Sequence, residues 1–259
     1  MAKTAMVTGA SGGIGLEFAE RLAAAGYQVT AVARSRQKLD ELVARLGAGH
    51  RALVADLSVP EDVTRVAADV RASRYDLLVN NAGVGVYGTF ADEPLDPTLA
   101  MLRLNIDSLV RLSHAYLGQA RRGDTLLNVS STLSLLSFPG AAAYCGSKAF
   151  VSAFTEGLWF ENRSKGVYVA ALLPGVTKTN FHQAAGGTAE ATPPEALSQS
   201  AAGVVDAAMA ALASRSSPTI LTSFLNKAMV FVNTRVLPRK SMITFMGGNS
   251  PVKGLGAKA

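Results

Sequence analysis

A doubly wound α/β fold, a parallel sheet with helices on both faces, is what this sequence predicts, and three observations predict it. Short apolar runs alternate with longer amphipathic stretches through most of the chain. A glycine-rich turn joins the first run to the first amphipathic stretch. No internal repeat and no low-complexity linker precedes residue 180, so the 259 residues read as one domain. Strands that alternate with helices of this length make right-handed crossovers, which force the strands parallel and bury both sheet faces.

The elements follow in order. Thr4–Thr8 and Gln28–Ala33 are apolar and β-rich, with a helix expected from about Gly13 to Ala25 between them. Gly26 stands where a helix-ending glycine belongs. Further strands are expected at Arg51–Asp56, Leu77–Asn80, Thr125–Ser130 and Val167–Leu173, with helices near 36–46, 60–72, 96–121 and 143–164. The segment from Gln183 to Pro194 is rich in Gly, Ala, Thr and Pro and reads as a mobile loop. A helix at about Pro194–Ala213, a short strand at Thr219–Thr222 and a helical stretch from Ser223 to Leu237 complete the chain, with Pro238 ending or kinking the last. Residues 183–259 are thus a variable substrate-loop and C-terminal segment inside the single domain.

Composition narrows the setting. With 49% hydrophobic and 17% charged residues, the chain can bury a sizeable core. A lone cysteine, Cys145, excludes an internal disulfide and fits a reducing compartment. The first strand begins too close to Met1 for a secretory leader, and no run approaches the roughly 18 apolar residues of a membrane span. A cytoplasmic protein is expected. The net charge of +6 is unevenly placed: after Asp206 there is no acid, while Arg215, Lys227, Arg235, Arg239, Lys240, Lys253 and Lys258 are all basic. Such a tail suits anionic lipid, an acidic partner or plain solvent. Nucleic acid is not expected, because the bases are scattered singly and no nucleic-acid motif accompanies them. No metal-ligand cluster is visible.

The glycine-rich turn Thr8-Gly9-Ala10-Ser11-Gly12-Gly13-Ile14-Gly15 follows a strand and opens a helix. There glycines permit close backbone approach to a pyrophosphate, and the helix N-terminus offers free N–H groups and a positive dipole end. This places Gly9, Ser11, Gly12, Gly13, Ile14 and Gly15 against a dinucleotide and makes the fold Rossmann-type. An NAD site puts an acid at the end of the second strand to bind the ribose 2′-hydroxyl. Here that strand ends Val32-Ala33-Arg34-Ser35-Arg36, without one. An acid would repel a 2′-phosphate, whereas Arg34 pairs with it, so NADP(H) is the expected cofactor. The plainer alternative is that Arg34 and Arg36 are surface bases in a loop.

Over about residues 3–182 the sequence resembles the short-chain dehydrogenase/reductase family, on seven markers in order. Thr8–Gly15 is similar to its TGxxxGxG turn, and Asp56-Leu57 stands at the place of its adenine-capping Asp. Asn80-Asn81-Ala82-Gly83 matches its NNAG segment, and Asn105 its helix asparagine. Ser131 precedes Tyr144 by 13 positions, Tyr144 and Lys148 form YxxxK, and Pro174-Gly175-Val176-Thr177-Lys178-Thr179 fits PGxxxT. The resemblance implies that Asp56, Leu57, Asn81, Ala82 and Gly83 line the cofactor cleft. It implies that Pro174, Gly175, Thr177 and Thr179 close over the nicotinamide, that Lys148 also holds the nicotinamide ribose, and that Asn105 holds a proton-relaying water.

The same residues make chemical sense alone. Tyr144 and Lys148, four apart on a helix, share one face. A free tyrosine titrates near pH 10. A nearby ammonium and an oxidised nicotinamide both favour the phenolate, so a lowered pKa is expected. Tyr144 then exchanges a proton with a carbonyl or alcohol oxygen that Ser131 hydrogen-bonds. Ser130 is a rival for that role, and the 13-position spacing selects Ser131. Cys145 reads as a small core filler, and His50, His114 and His182 as unremarkable.

Substrate is expected between Tyr87, Phe138, the 180–195 loop with Phe181, and the C-terminal segment, where Met229 is a further candidate. Those walls are apolar, which points to a hydrophobic ketone, aldehyde or secondary alcohol. The chain departs from the resembling family's tetrameric pattern after residue 222, leaving a homodimer through the helices near 96–121 and 143–164. The leading expectation is a carbonyl reductase. The alternative is a β-ketoacyl-thioester or hydroxysteroid-type reductase whose basic tail meets a carrier, CoA or a membrane surface. A nucleotide-binding scaffold without turnover is a third possibility, opposed by the intact Ser131, Tyr144 and Lys148.

Overall fold

The computed structural model describes residues 2–186, 198–248, 250 and 252. Seven strands form one parallel sheet in the order β3-β2-β1-β4-β5-β6-β7. They are β1 (Lys3–Thr8), β2 (Tyr27–Ala33), β3 (Arg51–Val54), β4 (Leu77–Asn80), β5 (Thr125–Val129), β6 (Tyr168–Leu173) and β7 (Thr219–Leu221). The doubly wound expectation is met. Strand order reverses between β1 and β4, and the crevice at the carboxyl ends of these two strands is where such sheets bind ligands.

Both faces are apolar, as a buried parallel sheet requires. Along β1, Ala5 and Val7 face one core with Phe18 and Leu22 of α1 (Gly13–Ala24), Leu39 and Leu42 of α2 (Arg36–Leu46), and Val204 and Ala208. Met6 faces the opposite core with Val63 and Val66 of α3 (Pro60–Ala72) and Leu112 and Tyr116. Local signals set the helix ends. Gly26, at φ 84°, closes α1 in a backbone conformation that a side chain resists. Ser35 caps α2 by accepting from the Lys38 N–H at 3.4 Å, and Pro60 opens α3 with Glu61 and Asp62 in its first turn.

Several boundaries move. The strands expected to reach Asp56 and Ser130 stop at Val54 and Val129, where the chain turns into the crevice. The helix expected over 96–121 is three pieces: α4 (Leu95–Leu102), a π-helical stretch Arg103–Ser108, and α5 (Leu109–Leu117). The wide turn lets Asn105 bond outside its own helix, and π-bulges recur at such functional positions. α6 spans Ala142–Asn162, and a one-turn helix α7 (Phe181–Ala184) lies inside the expected loop, whose residues 187–194 fall outside the described ones.

The helix expected from Pro194 begins later, as α8 (Ala201–Ser214), because Ser200 caps it by accepting from the Gly203 N–H. The terminal stretch is α9 (Phe224–Phe231) with a π continuation Val232–Val236, broken at Leu237-Pro238. An unanticipated α10 (Arg239–Gly248) follows, since a proline that ends one helix also suits the start of the next. Among the described residues, no helix is long and apolar enough to cross a membrane.

Candidate active site

The turn after β1 is fixed by three positions. Gly9 and Gly13 have φ of 70° and 56°. A side chain on Gly15 would collide with the Gly9 carbonyl and the Asn81 amide. Asn81 accounts for this tightness: its Nδ2 donates to Thr8 O at 2.8 Å, while Thr8 Oγ1 accepts from the Asn81 and Ala82 N–H groups at 3.0 Å. The NNAG segment therefore clamps the glycine turn to the end of β4. No side chain caps α1 at Gly12, where an added Cβ would meet open space. A dinucleotide fits that cradle: uncapped first-turn N–H groups suit a pyrophosphate, and backbone approach is unobstructed.

At the tip of β2, Arg34 is exposed, with Nη1 3.9 Å from Asp56 Oδ2. Asp56 accepts from the Ser58 N–H and Oγ, which aims the carboxylate, and Leu57 is buried beside it. On the other wall, Thr179 rests against Gly13, with Cγ2 3.1 Å from where a Cβ would sit. Thr177 Oγ1 donates to Gly175 O, and Pro174 O accepts from the Thr132 N–H at 2.9 Å. The PGxxxT loop is thereby tied to both the phosphate turn and the end of β5.

Between these walls lie Tyr144 and Lys148 on α6, both buried. Lys148 Nζ donates to Val129 O at 3.0 Å and stands 5.9 Å from the Tyr144 ring centroid. Burial pulls its ammonium down from 10.5 to about 8. The phenol of Tyr144 goes the other way, pushed up by burial and then by Tyr87, against a hydrogen bond from Ser131 that lowers it. In the protein alone the phenol is thus raised, not lowered, because burial of the ring dominates; the lowering expected beside an oxidised nicotinamide concerns the loaded cleft.

The two serines separate cleanly. Ser130 Oγ donates to Lys148 O at 2.8 Å and pairs with Ser152 Oγ, so it is consumed in packing α6. Ser131 Oγ accepts from the Leu133 N–H and meets Tyr144. Asn105 is buried, accepting from the Val84 N–H and donating to Val84 O, both at 3.0 Å, and donating to Ser147 Oγ. Its side chain thus fixes the segment after Gly83, whose Cα side faces Asn105 Oδ1 and Lys148 Nζ.

Tyr87, Phe138 and Phe181 pack in one cluster with Tyr144. Tyr87 meets the Tyr144 ring edge-on at 6.4 Å between centroids, and Phe181 lies at 5.6 Å. Tyr87 N–H donates to Ala185 O, so α7 closes directly on the loop after β4. His182, expected to be unremarkable, stacks edge-on against Tyr87 at 5.2 Å. Cys145 is buried and its thiol pushed up by burial, as a core filler should be. Met229 lies on an exposed part of α9, away from this cluster. Among the described residues there is no group of three metal-ligating side chains.

Two groups escaped the sequence argument. Asn80 Nδ2 donates to Asn128 Oδ1 at 3.0 Å and Ser113 Oγ at 3.1 Å, and Asn128 Nδ2 donates to Thr155 Oγ1 at 3.0 Å, a buried amide relay from α5 to α6. An amide within the apolar run Thr125-Leu126-Leu127-Asn128-Val129 was its visible signal. The second is a clasp in which Asn226 Nδ2 donates to Gln199 Oε1 at 3.0 Å and lies over Gly175. Nothing local marks it.

Residues 3–189 match the model of the short chain dehydrogenase family. The chain belongs to that family. It is 34% identical over 212 residues to the very-long-chain 3-oxoacyl-CoA reductase of Anas platyrhynchos, covering 78% of this chain and 68% of that protein. A short-chain dehydrogenase from Sphingobium yanoikuyae, solved with NADPH, is 30% identical with a TM-score of 0.79, covering 91% of this chain and 96% of that one. Another, from Burkholderia phymatum and solved with NAD, is 25% identical with a TM-score of 0.77, covering 90% and 92%. The short-chain dehydrogenases are oxidoreductases that use nicotinamide cofactors and act on small molecules, and this chain is one of them.

Proposed function

We propose that this enzyme is an NADP(H)-dependent carbonyl reductase of the cytoplasm, acting on the ketone or aldehyde of a hydrophobic small molecule or, in reverse, on the secondary alcohol. The observation that carries the reading is the buried Tyr144–Lys148–Ser131 group at the carboxyl end of β5, walled by Tyr87, Phe138 and Phe181. Burial keeps the Tyr144 phenol protonated, the form that gives a proton to a carbonyl oxygen as it becomes an alkoxide. Ser131 Oγ, meeting the same phenol, orients that oxygen and stabilises its developing charge. Lys148, whose ammonium donates to Val129 O, would hold the ribose of a bound cofactor, and Asn105 keeps the Val84 backbone in place. A bound nicotinamide supplies the hydride. Gly9, Ser11, Gly12, Gly13, Ile14 and Gly15 receive the pyrophosphate, Asp56 and Leu57 the adenine, and Asn81, Ala82 and Gly83 the ring side of the cleft. Pro174, Gly175, Thr177 and Thr179 cover the nicotinamide. Exposed Arg34, just past a β2 strand that ends without an acid and only loosely paired with Asp56 at 3.9 Å, favours the 2′-phosphate and hence NADP(H).

The exposed apolar residues Leu95 and Leu99 on α4 and Phe150 and Phe160 on α6 support a homodimer through these helices. A second reading, a β-ketoacyl-thioester or hydroxysteroid-type reductase with its tail on a carrier, CoA or membrane, is favoured by the likeness to a 3-oxoacyl-CoA reductase. The test is Tyr144→Phe. We expect NADPH oxidation against a panel of ketones and acyl-thioesters to fall about 10²–10⁴-fold while NADPH still binds. Undiminished turnover refutes the mechanism.

A further inference from the structure

We propose that the outer face of α9 and its π continuation is a docking surface for an anionic lipid bilayer, which sets the substrate mouth against the membrane. The proposal takes up the partner in the second reading above and commits it to lipid; it does not depend on which carbonyl is reduced. At about 100° per residue, the inward side of α9 is marked by the buried pair Asn226 and Val230. Away from that side stand Phe224, 85% exposed, and Phe231, 61% exposed, and the π continuation adds exposed Val232 and Val236. A soluble helix puts mainly charge on its outer side; this one also puts two aromatic rings there. Of the fifteen large hydrophobic side chains exposed among the described residues, eight lie between Phe224 and Phe245, so the exposure is concentrated and not scattered.

Charge selects the occupant. Lys227 and Arg235 are exposed among these apolar residues, Arg239 and Lys240 follow at the start of α10, and no acid occurs after Asp206. A second copy seated on this face about a two-fold axis would bring identical cations together with no carboxylate to pair them. An anionic headgroup layer satisfies the cations while its acyl boundary takes the phenylalanines, the recipe of an interfacial helix. The face is also built into the site. Asn226, on the inward side, bonds Gln199 and covers Gly175, while Arg239 Nη2 donates to Ser137 Oγ beside Phe138. A bilayer held by α9 would thus lie next to the apolar walls around Tyr144, where a membrane-dissolved ketone needs to arrive.

The test is flotation of the full chain with vesicles of phosphatidylcholine alone or with one third phosphatidylglycerol, in low and high salt. We compare the wild type with Phe224→Asp/Phe231→Asp and Lys227→Glu/Arg235→Glu/Lys240→Glu, and measure oligomeric state by light scattering. We expect partition onto the anionic vesicles that weakens with salt and falls at least about tenfold in each variant. Reduction of a water-soluble ketone and the oligomeric state should not change. Failure of the wild type to float with anionic vesicles overturns the proposal. So does undiminished binding by both variants, or a smaller oligomer on loss of the phenylalanines, which would make the face a contact between copies. None of these outcomes touches the Tyr144→Phe result, so the two readings fail separately.

Discussion

Replacing Lys148 by methionine separates what the ammonium does for chemistry from what it costs the fold. Lys148 is 4% exposed, and its ammonium donates to Val129 O. Its pKa drops from 10.5 to about 8 in the native protein, because burial penalises the charged form. Between those values the unfolded chain holds a proton that the native chain has released, so native stability rises with pH through this window. The gap amounts to about 3 kcal/mol of destabilisation at neutral pH, at about 1.4 kcal/mol per pH unit. Methionine removes that cost but strands the Val129 carbonyl, for about 1–3 kcal/mol. The variant should therefore match or exceed the wild type at pH 7 while losing NADPH oxidation. The sharper readout is the difference in urea unfolding free energy between the two apo-proteins, since other titrating groups cancel. The wild type should gain about 2 kcal/mol on the variant from pH 7 to pH 9.5. A difference flat to about 0.5 kcal/mol would mean that the native lysine keeps its ordinary proton affinity, and the account of a strained, function-driven burial would fail.

Two further outcomes are expected. Arg34→Ala should weaken NADPH binding about 10- to 100-fold and NADH binding far less, by fluorescence titration; equal loss for both would remove the 2′-phosphate role. Asn128→Ala should cost about 2–4 kcal/mol by breaking the bonds to Asn80 and Thr155, lowering Tm by roughly 5–15 °C in calorimetry; a shift of a degree or less would show the amide relay to be dispensable.

What was legible in the sequence follows from the range of the interactions involved. β4 was placed residue for residue because a short run of three apolar residues ending in Asn80, between turn signals, reads as a buried strand of a parallel sheet. Tyr144 and Lys148 were legible because a helix fixes the geometry of residues four apart whatever surrounds it. The burial of the Tyr144 ring was not, because it depends on Phe181 and Tyr87 packing against it, two contacts made across 37 and 57 positions. The π turn at Arg103–Ser108 was read as plain helix for a related reason. Its apolar spacing is helical, and the extra residue is accommodated because Asn105 gains three bonds to Val84 and Ser147.

The tail is the extreme case. Beyond Leu221, several contacts that position it are long-range: Asn226 to Gln199, Arg239 to Ser137, Ser250 to Pro139. Each lands on a loop that borders Tyr144 and not on the sheet that holds the cofactor cradle. The chain thus divides its work by interaction range. Local signals and strand-end motifs specify the cradle and the proton donor, which hydride chemistry on a carbonyl needs in any member of the family. Residues 198–222 are anchored by β7 on the sheet and by Val204 and Ala208 in the core, whereas the helices after Leu221 are tied to loops by distant polar clasps. On the function proposed above, substitutions in the helices after Leu221 should alter access to Tyr144 without disturbing Gly9, Asn81 or Lys148, because these clasps do not reach those residues.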